Sequence, residues 1–432
     1  MTPRVLIITY YWPPTGGAGV HRWLKFVKYL RAFNWEPIVY TPANPQMPAI
    51  DETLLLDIPE NLTVIKKNIR EPYDLYKKFL GINKNEKINP GFIQEKHKPK
   101  IAEKISIWIR GNLFIPDARK FWINPSTKFL LKYLKENKIN VIVSSGPPHS
   151  LHLIALKLHK KTKIPWLADF RDPWTEIDFY NQLMLTPIAN RIHHKMEKKV
   201  LTTADRVVTI SNNCALNMQK ICNRNIDVIT NGFDEPDFIN NKNIIPDKFR
   251  ISHIGALNRD RNPDFLWETL SELINENSGF ARDLQIELVG KTDISVMEKI
   301  KSCRLLNFTQ KIDYLTHNEA VEHEFSAAVL LLLINNTPAS EGIAPGKLFE
   351  YLATRRPVLC IGPENGDSAT IITETNSGKV VPFNDKMKLK KTILELYANF
   401  KKGIFVNENS NIQKYQRREL TRQLADLLDS ML

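Results

Sequence analysis

Three short stretches carry residue types whose spacing suits chemistry on an anionic ligand. Gly16, Gly17 and Gly19 fall together in a chain of 432 residues with only 17 glycines. They lie between a predicted strand and a predicted helix, where missing side chains let a ligand approach the backbone and a helix start offers free N–H groups. Gly346 and Lys347 open a second predicted helix and suit a phosphate in the same way. Glu350, one turn further on, can face the same cavity and accept two vicinal hydroxyls. In DFRDPW, Asp169, Arg171 and Asp172 fall at the carboxyl end of a predicted strand, where ligands of α/β sheets bind. Asp172 suits a general base, with Asp169 beside it. His149 and His152 follow the turn SSGPP, and His21 follows the first glycines; neutral imidazoles there suit hydroxyl contacts. Each group also has a structural reading: a tight turn, an exposed i,i+3 pair, a loop brace, or packing histidines.

The elements around these residues alternate. RVLII ends near Pro13 and Pro14, and an apolar pattern at Val20, Trp23, Leu24, Val27 and Leu30 predicts an amphipathic helix before the strand EPIVYT. The alternation returns with NVIVSS, PWLADF and DRVVTI, and again with FRISHIG, LQIELVG, AVLLLLI and PVLCIG. Two groups of buried strands interleaved with helices predict an α/β chain with two Rossmann-like domains and parallel sheets. The expected boundaries are 1–235, with a Lys-rich insertion at about 66–120, then 248–406, with the polar, Pro-containing stretch 231–248 between. Residues 411–432 are expected to form a helix crossing back to the first domain. Within the insertion, 83–90 and 94–100 read as exposed loop.

The motifs YYWPPTGGAGVHR, SSGPPHSLH, WLADFRDPW, VITNGFD, HIGALNRDRNP and PGKLFEYLATRRPVL, in that order, resemble those of GT-B glycosyltransferases of the family 4 type. The likeness runs from residue 4 to about residue 361. It implies two domains facing a central cleft and retaining transfer of a sugar from a nucleotide diphosphate sugar to a hydroxyl acceptor. On these positions, Glu350 would grip the ribose. Arg261, with Arg259 as a second guanidinium, would neutralise the diphosphate together with N–H groups near Gly346 and Lys347. Val289 and Gly290 would line the base pocket, and Gly16, Gly17 and Gly19 would approach donor phosphates or acceptor. His149, Asp169 and Asp172 form the implied catalytic set, with His21, His152 and Arg171 on the acceptor. The chain departs from the family pattern in having Glu341 and Glu350 separated by eight residues, which puts Gly342 at the usual first glutamate position, and Ala256 where a basic residue is common.

No Asp-X-Asp occurs, so the donor arrangement implied is metal-independent, with no cofactor beyond the donor. The rival readings are a nucleotide-sugar epimerase of the same fold, which would act without an acceptor, and a non-catalytic sugar-binding protein. Four cysteines without a CxxC pair suit a reducing compartment. The longest apolar run, 327–334, is short of the ~20 residues of a membrane helix, and no signal peptide is read at the start, so a cytoplasmic protein is expected. The net charge is +13. Its expected uses are a diphosphate and an anionic membrane face, read from Arg22, Lys25, Lys28 and Arg31 on the first helix and from KISIWIRGNLFIP. That suits a glycan or lipid-linked acceptor of cell-envelope polysaccharide or lipopolysaccharide synthesis at the inner membrane face. Nucleic-acid binding is not expected, since no RRM, KH, zinc-finger or helix-turn-helix pattern occurs.

Overall fold

A computed structural model describes residues 2–71, 101–239, 244–408 and 411–432. The chain forms two compact units, Met1–Thr230 with Arg417–Leu432, and Asn231–Gln416.

Among the described residues, the first unit holds a seven-stranded sheet: β1 (Arg4–Ile8), β2 (Glu36–Pro42), β3 (Thr63–Lys67), β4 (Val141–Gly146), β5 (Trp166–Phe170), β6 (Arg206–Thr209) and β7 (Asp227–Val228). All are parallel, in the order β3-β2-β1-β4-β5-β6-β7. In the second unit β8 (Phe249–Ile254), β9 (Leu284–Val289), β10 (Thr309–Ile312), β11 (Val329–Leu333), β12 (Val358–Ile361) and β13 (Gly378–Val381) run parallel in the order β10-β9-β8-β11-β12-β13. Counted from its own first strand, the first sheet runs 3-2-1-4-5-6-7 and the second 3-2-1-4-5-6, so both contain the doubly wound Rossmann order.

The continuous apolar strands follow from burial on both faces. In β1, Leu6 and Ile8 point into one core, with Ile38, Ile142 and Trp166, while Val5 and Ile7 point into the other, with Val27, Val39 and Val143. The run read at 327–334 becomes β11, whose Leu331 and Leu333 face one side and Leu330 and Leu332 the other.

Two boundaries differ from the sequence reading. Residues 231–239 belong to the second unit, because Phe233 and Phe238 pack into its core with Phe325 and Leu348. Lys66 and Lys67 end β3, where they pair with Thr41 and Pro42, so the sheet extends past residue 66. The loops read at 83–90 and 94–100 lie outside the described residues.

The first helix (Ala18–Leu30) differs more sharply. Its cations do not form an open basic face: Arg22 and Lys25 are buried, Arg22 pairs with Asp169, Lys25 and Lys28 share Asp57 at 2.7 and 2.5 Å, and Arg31 pairs with Glu36. The C-terminal helix (Arg417–Asp429) covers this helix from the far end of the chain. Leu420, Leu424 and Leu428 enter the same core as Trp23 and Val27, and Trp35 Nε1 donates to Asp429 Oδ1 at 2.9 Å. Leu428 is fully buried, so Leu428→Ala should cost about 2–5 kcal/mol of unfolding free energy in urea titration.

Candidate functional site

In the second unit the candidate residues gather at the carboxyl ends of the strands. Gly255 follows β8 with φ +119° and Gly290 follows β9 with φ +103°, backbone conformations that suit glycine. A Cβ on Gly255 would stand 2.0 Å from Lys347 Nζ, so the ammonium rests directly over this glycine; one on Gly290 would stand 3.0 Å from the Gly255 carbonyl oxygen. The helix Gly346–Thr354 starts after Pro345, with no side-chain cap, and a Cβ on Gly346 would meet nothing within 4 Å. The first N–H groups of the helix and the Lys347 ammonium are thus placed together, a combination suited to a phosphate group.

Arg261 is fixed in the same region. Its backbone N–H donates to Asn258 Oδ1, while Nε donates to Asn335 Oδ1 at 2.5 Å and Nη1 to the Ala256 carbonyl at 3.2 Å. Arg259, in the same 3₁₀ turn, is exposed. Beside Arg261 a cavity of about 320 Å³ opens, lined among others by Asn262, Phe265, Leu333, Asn336 and Phe383. That is within the size range of small-ligand pockets.

Desolvation and the Arg261 charge pull the Lys347 ammonium down to about 7, against the opposing pull of Glu350 and Glu324. Glu350 is partly exposed, with Oε1 3.9 Å from His317 Nδ1; the other His317 nitrogen, Nε2, lies 3.1 Å from Asp237 Oδ2. Glu324 is buried, its Oε2 has no partner, and burial and Glu350 raise its carboxyl well above the usual range. The sequence reading did not single out Glu324, His317 or Gly255. Only the glycine had a local signal, HIG at a strand end. Glu341 lies in the 3₁₀ turn Ser340–Gly342, exposed, and accepts from Asn365 Nδ2 at 2.8 Å. Gly342 closes that turn.

In the first unit Asp169, the next-to-last residue of β5, is completely buried. Oδ1 accepts from Arg22 Nε at 3.1 Å and Nη2 at 3.0 Å; Oδ2 accepts from Trp23 Nε1 at 2.7 Å and Ser145 Oγ at 2.8 Å. A carboxylate so occupied is placed to join the first helix to β4 and β5, and is poorly placed to take a substrate proton. Arg171 also holds protein: its guanidinium donates to the Gly19 carbonyl at 2.7 Å and to the Pro147 carbonyl, tying the glycine turn to the SSGPP turn. Asp172 is exposed. Desolvation by the surrounding protein, reinforced by Asp178 and Asp169 against Arg171, raises its carboxyl above the usual range. Of the two aspartates, Asp172 is the one open to a proton donor.

The glycines divide similarly. Gly16 pairs with Ala49 in a short antiparallel bridge, Gly17 takes φ +92° before the first helix, and Gly19 packs on Tyr11. His21 lies in the first turn of that helix, partly exposed. His149 is buried and stacks on Trp174 at 4.5 Å, and His152 on Phe170 at 4.4 Å. Trp166 Nε1 donates to Ser144 Oγ, and that hydroxyl lies 2.8 Å from His152 Nδ1. His149 Nδ1 and His152 Nε2 are buried without partners. Burial keeps both rings neutral, His152 down to about 3 and His149 well below its ordinary value.

Two parallel sheets of Rossmann order with these strand-end residues define the GT-B class of fold. Solved structures of similar fold include sucrose-phosphate synthase from Thermosynechococcus elongatus (14% identity, TM-score 0.65, 99% of each chain). Another is HepE of Anabaena in complex with UDP-glucose (12%, 0.63, 99% of each chain). A third is WaaG, a glycosyltransferase involved in lipopolysaccharide biosynthesis (14%, 0.57, 98% of this chain and 99% of that one). No curated protein sequence matches the chain. Residues 90–235 match the family model Glycosyltransferase Family 4. Residues 90–235 thus resemble a family 4 glycosyltransferase domain, which supports a glycosyltransferase, and the chain as a whole shares the GT-B fold of the solved structures.

The Lys347 ammonium gives a pH test. An anion placed on it raises its pKa, so anion binding takes up a proton once the pH exceeds about 7. Affinity for a simple diphosphate diester such as dimethyl diphosphate, used as the probe in titration calorimetry, should be constant below that pH. Above it, affinity should fall by up to about tenfold per pH unit. Lys347→Arg, which keeps its charge, should flatten the dependence. In the first unit, Asp169→Ala strands the buried Arg22 and should cost about 3–5 kcal/mol in urea unfolding.

Proposed function

We propose that the protein is a retaining, metal-independent glycosyltransferase that moves a sugar from a nucleotide diphosphate sugar to a hydroxyl acceptor. Its setting is the assembly of cell-envelope polysaccharide or lipopolysaccharide on the cytoplasmic side of a membrane. The observation that carries this reading is the Lys347 ammonium over Gly255, next to an uncapped helix start and in the same region as Arg261. Breaking the anomeric bond leaves negative charge on the departing nucleotide diphosphate. Fixed donors aimed at that charge stabilise the transition state without having to reorganise. Arg261, Lys347 and the N–H groups of Gly346 and Lys347 supply such donors, with Arg259 at the rim, and no cofactor beyond the donor is invoked.

Glu350, one turn along the same helix, accepts from the two ribose hydroxyls, and Gly290 lets the base approach the end of β9. The Glu341–Gly342 turn and the cavity beside Arg261 take part in holding the transferred sugar. On the acceptor side, Asp172 takes the proton of the attacking hydroxyl, its raised carboxyl bringing it nearer the working pH than an ordinary aspartate. His149 and His152 offer neutral imidazoles, with His21 near the glycine turn.

A thermal-shift screen with UDP, GDP, ADP and CMP sugars tests the donor reading: one nucleotide class should stabilise the protein, and stabilisation by none would contradict it. Glu350→Gln should weaken binding of that class by about ten- to a hundredfold, the loss of hydrogen bonds to a charged acceptor worth about 1.5–3 kcal/mol. Release of nucleotide diphosphate only when an acceptor is present separates transfer from epimerisation, which would yield an epimer without one.

A further inference from the structure

The helix Ile101–Leu113 and the segment leading into the helix Pro187–Thr203 are pinned together. Asn112 Nδ2 donates to both the Trp108 carbonyl, at 2.8 Å, and the Met184 carbonyl, at 3.1 Å, while its Oδ1 accepts from Thr186 N at 2.7 Å. The approach is close because residue 111 is glycine: a Cβ there would stand 2.6 Å from the Leu183 carbonyl oxygen. On these joined elements, large apolar side chains remain open to solvent: Ile105, Trp108 and Leu113 on one, Met184, Ile188 and Ile192 on the other, Ile188 at 73% exposure.

Their charge is predominantly positive. Residues 101–120 hold two acids, Glu103 and Asp117, against Lys104, Arg110, Arg119 and Lys120, and Asp117 turns inward to accept from Ser150 N and Oγ. Between 184 and 199 the only acid is Glu197, buried and bonded by Trp174 and Thr175. Lys104, Arg191, Lys195 and Lys198 are exposed. A second copy of the chain fits poorly, because a two-fold interface would press this cationic rim against itself. Tryptophan and aliphatic side chains among lysines and arginines suit the interfacial layer of a bilayer with anionic headgroups. No described helix is long and apolar enough to cross a membrane, so contact would be at the surface.

We propose that the face formed by Ile101–Leu113 and Met184–Lys199 docks the protein on an anionic lipid surface. This deepens the membrane-side setting given above: of the two stretches read from the sequence it drops the first helix, whose cations are buried or paired, keeps KISIWIRGNLFIP and joins to it Met184–Lys199.

The test is co-sedimentation of the full chain with vesicles of phosphatidylcholine, alone or with phosphatidylglycerol, without donor or acceptor, so its outcome is separate from that of the donor screen. Binding to the anionic vesicles should exceed binding to neutral ones by at least about tenfold at low salt. The double variant Trp108→Ser, Ile188→Ser should lose most of that excess while keeping its melting temperature and its donor binding. A second variant, Arg191→Glu with Lys195→Glu, should lose it as well. Equal recovery with both vesicle types, or undiminished binding by both variants, overturns the proposal. A dimer in analytical ultracentrifugation that the first variant dissociates assigns the face to a second copy and also overturns it.

Discussion

The second unit depends on one close approach, the Lys347 ammonium against the Cα of Gly255. It requires a glycine at the end of β8, with the left-handed backbone found there, and it requires the helix that follows β11 to begin where its first N–H groups lie next to the same ammonium. Desolvation and the nearby Arg261 make that positive charge costly and lower its pKa. A bound anion would offset both effects by pairing directly with the ammonium. The site is therefore poised electrostatically for an anion in a way that an exposed lysine would not be.

The first unit solves a different problem. Its strand-end loops must be rigid before they can orient anything, and buried polar groups do that work. Asp169 gathers Arg22, Trp23 and Ser145, and Arg171 spans from Gly19 to Pro147. Glu197 holds the backbone and hydroxyl of Thr175, three residues beyond Asp172. The loop that carries Asp172 is thus clamped at both ends by side chains bonded to protein groups.

Much of this was legible in the sequence. Continuous apolar strands alternating with amphipathic helices fix the doubly wound pattern, and glycines at strand ends mark where a ligand can approach the backbone. What could not be read locally were partners distant along the chain. Asp169 and Asp172 look alike in DFRDPW; only the position of Arg22 and Trp23, 147 and 146 residues away, separates the bracing carboxylate from the open one. The cations of the first helix had the spacing of an exposed stripe, but Asp169, Asp57 and Glu36, all on other elements, pair with them. Glu324 had no signal, since an acid in a polar helix next to a strand is unremarkable until its burial beside Lys347 and Glu350 is seen.

The central claim is that a nucleotide diphosphate is held by the second unit. A crystal structure with the stabilising nucleotide bound tests it most directly. The account predicts diphosphate oxygens within hydrogen-bonding reach of the Gly346 and Lys347 N–H groups and of the Arg261 guanidinium, with the ribose hydroxyls on Glu350. A nucleotide bound away from Gly255, leaving Lys347 and Glu350 without ligand contacts, would contradict it.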